Sequence, residues 1–319
     1  ERDLTDEILR DRNHASVFMW SIGNEVLEQW SHADATELDL QAANLILNAG
    51  HAIDPALLKD TTLSRQSLIT RHLAAIVKRL DTSRVVTAGC NEVNPANHLF
   101  RSDALDVLGF NYHERYFEPF FRNFPGKKLI VSESTSALMT RGYYEMPSDH
   151  IYIRPESGDK PFEAPEHVCS SYDNCHVPWG STHEKTWHLV KTLPHVSGLF
   201  VWTGFDYLGE PTPYWWPSRS SFFGIVDLAG FPKDIYYMYK SEWTNEPVLH
   251  IFPHWNWKEG EPVDIWAYYN NADEVELYLN GKSLGVRQKT DSTYHVSWRV
   301  PFTPGTLKAV SRLGGKEVL

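Results

Sequence analysis

Short apolar runs recur along the chain, and several end on a polar or charged residue. "VFMW" (17–20) is the first, and it breaks into Ser21, Ile22, Gly23, Asn24 and Glu25. "RVVTAG" (84–89), "LDVLGFNY" (105–112), "KLIVSE" (128–133) and "GLFVWTGF" (198–205) come later, each β-branched or nearly continuously apolar, as buried strands are. Between them lie helical patterns. Residues 64–80 carry Ile69, Leu73, Ile76, Val77 and Leu80 at helical spacing, which predicts an amphipathic helix with those five on its inner face. An aromatic helix is expected near 114–123, a further helix over 182–193 and a closing one over 233–243. Residues 134–180, rich in Pro, Ser and Asp, predict a long irregular stretch of the kind that often carries function.

Strands separated by helices indicate βαβ units and a parallel sheet, and nearly unbroken apolar strands fit a sheet covered on both faces. No GxGxxG or P-loop is present, so a nucleotide-binding sheet loses ground to a (β/α) barrel. After Trp243 the period changes to two. In "EVELYLNGKSLG", Val275, Leu277 and Leu279 face one way, Glu276 and Tyr278 the other, and Asn280-Gly281 supplies a hairpin turn. The expected organisation is therefore a barrel portion over 1–245 and a β-sandwich over 246–319, the latter a structural module.

Composition narrows the function. No apolar run reaches the roughly 18–20 residues of a membrane span. The formal net charge of −11 argues against a nucleic-acid partner. Twelve Trp and 15 Tyr suit stacking on sugars, and equally suit ordinary packing. The three cysteines, Cys90, Cys169 and Cys175, make no disulfide framework. His167, Cys169, Cys175 and His176 lie close in sequence, but their spacing fits no common zinc pattern, so neither a metal nor a cofactor is expected.

In barrels the chemistry sits at the C-terminal ends of the strands. Those ends here carry Asn24-Glu25, Asn111-Tyr112-His113 and Glu133, while the fifth run holds Trp202 and leads to Asp206 and Glu210. Placing Glu25 at a barrel mouth explains why an apolar strand should end in a carboxyl, which is costly to bury alone. Two carboxyls facing each other across such a mouth suit glycoside hydrolysis, one protonated to assist the leaving oxygen and one ionised to attack the anomeric carbon. Asn24 could bond a sugar hydroxyl, Tyr112 could orient the nucleophile, and Trp202 could form an apolar wall for the ring. The same residues have plainer readings. A strand-end Glu is commonly solvated or salt-bridged, Trp202 in an apolar strand reads as core, and His113 and Asp206 could be ordinary loop residues.

Longer motifs add a resemblance. "RDRNHASVFMWSIGNEV" resembles the acid/base motif of glycoside hydrolase family 2, in which Asn-Glu closes the fourth barrel strand, and "LIVSESTSA" resembles the nucleophile segment on the seventh. "GLFVWTGFDYLGEPTPY" and "SSFFGIVDLAGFPKDIYYMY" resemble the eighth strand and the loop and helix after it in the β-galactosidase-type members, and "EVELYLNGKSLG" resembles their immunoglobulin-like domain. The resemblance implies a (β/α)8 TIM barrel with strands four to eight present, then that sandwich. It implies Glu25 as general acid/base and Glu133 as nucleophile, with retention of configuration. Asn24, Asn111, Tyr112, His113, Trp202 and Asp206 are the expected carbohydrate-binding residues. The chain starts at Glu1 with neither initiator Met nor leader and stops in "GGKEVL" as a strand begins, so it reads as a central-to-C-terminal piece of a larger enzyme. A periplasmic or secreted setting would suit a glycan-degrading enzyme, and an oligomer is compatible with the sequence.

The same resemblance bears on the sugar. Family 2 β-glucuronidases place Asn-x-Lys just before a Gly after strand eight, and Ser221-Phe222-Phe223-Gly224 has neither residue. Galactosidases of one subgroup use an Asn in that loop, from which Phe223 departs. A neutral glycone is expected, β-D-galactosides first, partly because the charges of Asp206 and Glu210 would repel a uronate. The alternatives are a mannosidase or glucuronidase of the same family, a non-catalytic carbohydrate-binding or scaffold protein, and an inactive fragment.

Overall fold

A computed structural model describes residues 1–32, 35–39, 42–43, 46–47, 62–155, 168–214 and 216–319. The chain forms two compact units, one from Glu1–Thr135, Trp179–Ser181 and Leu189–Val201, the other from Ser136–Pro178, Thr182–His188 and Trp202–Leu319.

The first unit is built on a five-stranded sheet whose order follows the chain: β1 (Met19–Asn24), β2 (Val85–Cys90), β3 (Val107–Asn111), β4 (Lys128–Thr135) and β5 (Val196–Trp202). The first three pairings are parallel. Sequential parallel strands with intervening helices are the second half of a (β/α) barrel, and the sheet curls enough to stack Phe18 against Phe200 with ring centroids 6.3 Å apart. Helix α1 (Arg2–Asp11) buries Ile8 completely, and α2 (Arg65–Leu80) begins at Ser64, whose hydroxyl accepts from the Ser67 amide at 3.1 Å. Helix α3 (His183–Thr192) precedes β5, and α4 (Asp234–Trp243) comes after it.

Two expectations for these helices need correction. The buried face of α2 is Ser67, Thr70, Ala74, Ile76 and Val77, whereas Ile69 is 47% exposed. The two hydroxyls are tolerated inside because both are bonded, Ser67 Oγ to the His98 carbonyl and Thr70 Oγ1 to the Gln66 carbonyl. The aromatic stretch 114–123 is not one helix but two single turns, Glu114–Tyr116 and Phe120–Asn123. Pro119 between them has no N–H with which to continue a helix. Phe120 of this stretch joins Phe100, Phe110 and Phe124 in the core, the four rings packing with centroids 5.0–5.9 Å apart.

The second unit contains two antiparallel sheets. With strands β6 (Leu249–Phe252), β7 (Pro262–Tyr269), β8 (Glu274–Leu279), β9 (Lys282–Arg287), β10 (His295–Pro301), β11 (Leu307–Leu313) and β12 (Lys316–Glu317), the sheet orders are β10-β7-β6 and β9-β8-β11-β12. They share a core that includes Val263, Ile265, Val275, Leu277, Val296 and Trp298. The β8–β9 turn is the expected one: Leu279 pairs with Lys282, and Asn280 and Gly281 take φ of 52° and 78°, both in the left-handed region a tight hairpin needs.

The irregular stretch after β4 belongs to this second unit, so the compact units do not divide at residue 245. The reason is a set of bonds along the way. Asp234 at the start of α4 accepts from Tyr144 (2.7 Å), Ser171 (2.8 Å) and His250 (2.7 Å), and Ser148 is bonded to both Asp264 and Trp266 of β7. Cys169 and Cys175 are buried thiols, and Cys169 Sγ lies 2.6 Å from Tyr214 Oη. His167 lies outside the described residues. Among the described residues, no helix is long and apolar enough to cross a membrane.

Candidate active site

The first unit brings Asn24, Glu25, Asn111, Tyr112 and Glu133 together at the C-terminal ends of β1, β3 and β4. Regular pleating would send successive side chains to opposite faces. Both strands that deliver a carboxyl escape that rule by an irregularity at the site. The β1–β2 register shifts between Ser21 and Asn24, and the β3–β4 register passes from Phe110↔Val131 to Asn111↔Glu133, leaving Ser132 as the extra residue of a bulge. Beyond the strands the backbone turns left-handed, with φ of 51° at Glu25, 59° at Tyr112 and 61° at His113.

Asn111, fully buried, is the hub. Its Nδ2 donates to Glu25 Oε1 at 2.9 Å, to Glu133 Oε1 at 2.9 Å and to Asn24 Oδ1 at 3.0 Å. Its Oδ1 accepts from Ser132 Oγ at 2.6 Å. The two carboxyl oxygens are each 2.9 Å from one nitrogen, so they are separated by at most twice that distance, 5.8 Å. Glu133 Oε2 accepts from Tyr112 Oη at 2.8 Å, and Asn24 also donates to Glu133.

Space for this cluster comes from two glycines on neighbouring strands. A Cβ at Gly89 would lie 2.5 Å from Asn24 Oδ1 and 2.9 Å from Asn111 Oδ1, and one at Gly109 would lie 2.3 Å from the Ala88 carbonyl oxygen. Neither glycine nor Ser132 was legible as a site residue in the sequence; their part comes from the register, which only the sheet fixes.

Burial raises the pKa of both glutamates above the ordinary carboxylate range. The influences opposing burial differ. Hydrogen bonds from Tyr112, Asn24 and Asn111 favour the ionised form of Glu133. Among the described residues Glu25 has only the bond from Asn111, and the neighbouring charge of Glu133 pushes it further up. Glu25 is thus the better holder of a proton and Glu133 the better anion.

His113 is buried beside this cluster and lines a small cavity with Asn91, Val93, Asn94 and Tyr116. Trp202 and Asp206 belong to the second unit, where the Trp202 ring packs edge-on to Tyr207 with centroids 5.9 Å apart. Asp206 is not a free charge. Its Oδ1 accepts from Lys233 Nζ at 2.9 Å and from the Gly224 amide at 2.8 Å, and the side chains of Asp206 and Lys233 are only 8% and 1% exposed. The expected repulsion of a uronate by Asp206 therefore fails, because a buried ammonium neutralises it.

Comparison with known proteins adds to this geometry. Residues 2–55 match the profile described as "Glycosyl hydrolases family 2, TIM barrel domain", and residues 260–319 match a "Domain of unknown function (DUF4982)". A β-galactosidase of Bacteroides ovatus, BoGH2A, is 61% identical over 318 residues, all of this chain and 37% of that protein. The chain belongs to glycoside hydrolase family 2. A putative β-glucuronidase of Formosa agariphila is 42% identical over 97% of this family 2 chain and 36% of its own length. Among solved structures, a β-glycosidase from Bacteroides vulgatus superposes with a TM-score of 0.71 at 31% identity, covering 99% of this chain and 37% of that one. A family 2 member from Bacteroides cellulosilyticus gives 0.64 at 28% identity, with 99% and 34% covered. The family 2 chain thus spans about a third of the length of the relatives it matches.

Proposed function

We propose that the protein is a retaining exo-β-glycosidase that removes terminal, neutral, β-linked sugars, with β-D-galactosides the leading substrates. The observation that carries the reading is the shared amide: one Asn111 nitrogen 2.9 Å from an oxygen of each glutamate. The resulting ceiling of 5.8 Å on the separation of those oxygens suits a direct attack by one carboxylate, for which the groups stand about 5–5.5 Å apart. An inverting enzyme needs room for water and about 6.5–9.5 Å.

In this reading Glu133 attacks the anomeric carbon while Glu25 gives its proton to the leaving oxygen. Glu25, now ionised, takes a proton from water as that water attacks the glycosyl-enzyme. Asn24, solvent-exposed beside Glu25, is available to the sugar's 2-hydroxyl. The high identity to a β-galactosidase supports galactose. Glucuronate is the second reading, favoured by the relatives named as putative β-glucuronidases and by the neutralised Asp206.

Aryl β-glycosides of galactose, glucose, mannose and glucuronic acid, compared on the full-length protein, test the sugar; fastest turnover of the glucuronide overturns the neutral glycone. Azide tests the roles. Glu25→Ala should keep glycosylation by a dinitrophenyl glycoside, stall at deglycosylation, and be rescued by azide to give the β-glycosyl azide. Glu133→Ala should lose activity on every substrate and give the α-azide. Equal loss in both variants without rescue sinks the assignment.

A further inference from the structure

A carboxamide has two N–H hydrogens, yet Asn111 Nδ2 stands within 3.0 Å of three oxygens, two of them on the glutamates. Its donation is therefore shared. In a double displacement the negative charge is not fixed: it sits on Glu133 before glycosylation and on Glu25 once the glycosyl-enzyme has formed and the proton has left. A hydrogen bond to an ionised acceptor is stronger than one to a neutral acceptor, so the shared amide strengthens toward whichever carboxylate is charged.

That service depends on the amide facing the right way. Turned over, Oδ1 would confront both carboxyls and Asn24 Oδ1. Ser132 reinforces the observed orientation, because its hydroxyl donates to Oδ1 at 2.6 Å. Ser132 is the bulged residue of β4, so it and Glu133, neighbours in sequence, both bond the same side chain. The absence of a Cβ at Gly109 keeps that hydroxyl's place open, since one would stand 2.9 Å from Ser132 Oγ.

We infer that Ser132 and Asn111 form a positioning relay: Ser132 locks the Asn111 amide, and that amide stabilises Glu133 and Glu25 alternately as the charge passes between them. This rests on the two-carboxylate reading above. Each removed donor disfavours an ionised carboxyl, so losing the amide raises the pKa of both. Around them in this unit stand Cys90, kept neutral by burial, Glu92, held by Ser31 and Asn97, and Tyr112 and His113 on the β3 end.

The experiment uses the full-length protein, with pre-steady-state kinetics on a dinitrophenyl glycoside to separate the two steps and pH profiles of kcat/KM on a phenyl glycoside, whose leaving group needs the proton. Asn111→Ala should slow glycosylation and deglycosylation alike, by roughly 100-fold each. The acid limb of kcat/KM, set by Glu133, and the alkaline limb, set by Glu25, should both move to higher pH. Ser132→Ala should move both limbs in the same direction with a rate loss of roughly tenfold or less, as expected for one neutral hydrogen bond. Ser132→Thr, which keeps the hydroxyl, should return the limbs toward the parent. Slowing of one step only, or lost rate with unmoved limbs, overturns the relay. If Asn111→Ala does not fold, Ser132→Ala, at a half-buried position, decides alone. The azide products of the Glu25 and Glu133 variants report separately on the underlying reading, so a correct pair with unmoved limbs rejects only the relay.

Discussion

Tyr112 Oη stands 2.8 Å from Glu133 Oε2, while Asn111 holds the other oxygen of that carboxyl at 2.9 Å. The phenol touches one member of the pair and the amide touches both, and that difference can be measured. Tyr112→Phe removes a donor from ionised Glu133 only. On the proposed roles, the acid limb of kcat/KM should move to higher pH while the alkaline limb, assigned to Glu25, stays in place. The rate at the optimum should fall about 10- to 100-fold, the worth of one hydrogen bond to a charged group.

Gly89→Ala tests whether the space in the sheet belongs to the chemistry. The new methyl would lie 2.5 Å from Asn24 Oδ1 and 2.9 Å from Asn111 Oδ1. Both are ends of side chains, so the fold can yield by moving the two amides. The expected result is a near-native circular dichroism spectrum with activity reduced by about 100-fold, the effect of misplacing catalytic groups by an ångström. Unchanged activity would mean that the amides need not be where they are.

In the second unit Lys233 donates to Asp206, to the Met139 carbonyl at 2.7 Å and to the Phe222 carbonyl at 3.2 Å, and so ties together three separate segments. Lys233→Met would strand a buried carboxylate, at a cost of about 3–5 kcal/mol. Adding Asp206→Asn should recover part of it, because the amide oxygen still accepts from Gly224 and no charge is left alone. Urea unfolding monitored by intrinsic fluorescence reads both variants. A double mutant no more stable than Lys233→Met would show that the carbonyl contacts, not the ion pair, matter.

Asp173 and His183 should oppose each other in the pH dependence of stability. Asp173 accepts from the His183 and Glu184 amides at the start of α3, and burial pushes its pKa up to about 7. The folded form then binds the extra proton, so Asp173 adds stability as pH falls from 7 toward the ordinary Asp range. His183 is held neutral by burial, its pKa lowered to about 3. There the unfolded chain binds the extra proton, so His183 removes stability as pH falls from about 6.5 toward 3. Between them the urea midpoint should change little over the shared range. Asp173→Asn should expose a loss of stability on acidification, and His183→Asn a gain; slopes of the same sign in both variants would refute the opposition.

The sequence carried much of this architecture because the strands are short apolar runs that stop on polar residues, and parallel strands stop at a common end. Asn24, Glu25, Asn111, Tyr112 and Glu133 were legible for that reason. Ile69 was misplaced because helical spacing counts apolar residues and does not register that Ser67 and Thr70 can be buried when their hydroxyls have partners. Ser132 escaped notice because strand alternation points it away from Glu133, and only the bulge reverses that. Lys233 and Asp206 lie 27 positions apart in the sequence, and nothing in either segment announces that one neutralises the other.

The left-handed backbone at Glu25 sets the fold against the chemistry. A side chain bearing a Cβ at φ 51° is strained by about 1–2 kcal/mol relative to an ordinary conformation, and glycine is not. Glu25→Gly should therefore be more stable to denaturant than the parent by about 1 kcal/mol, while lacking the proton donor of the proposed mechanism. On the proposed mechanism, the glutamate at position 25 serves the chemistry at the expense of the fold, and a descendant released from that chemistry could reach a sturdier molecule by exchanging this one residue.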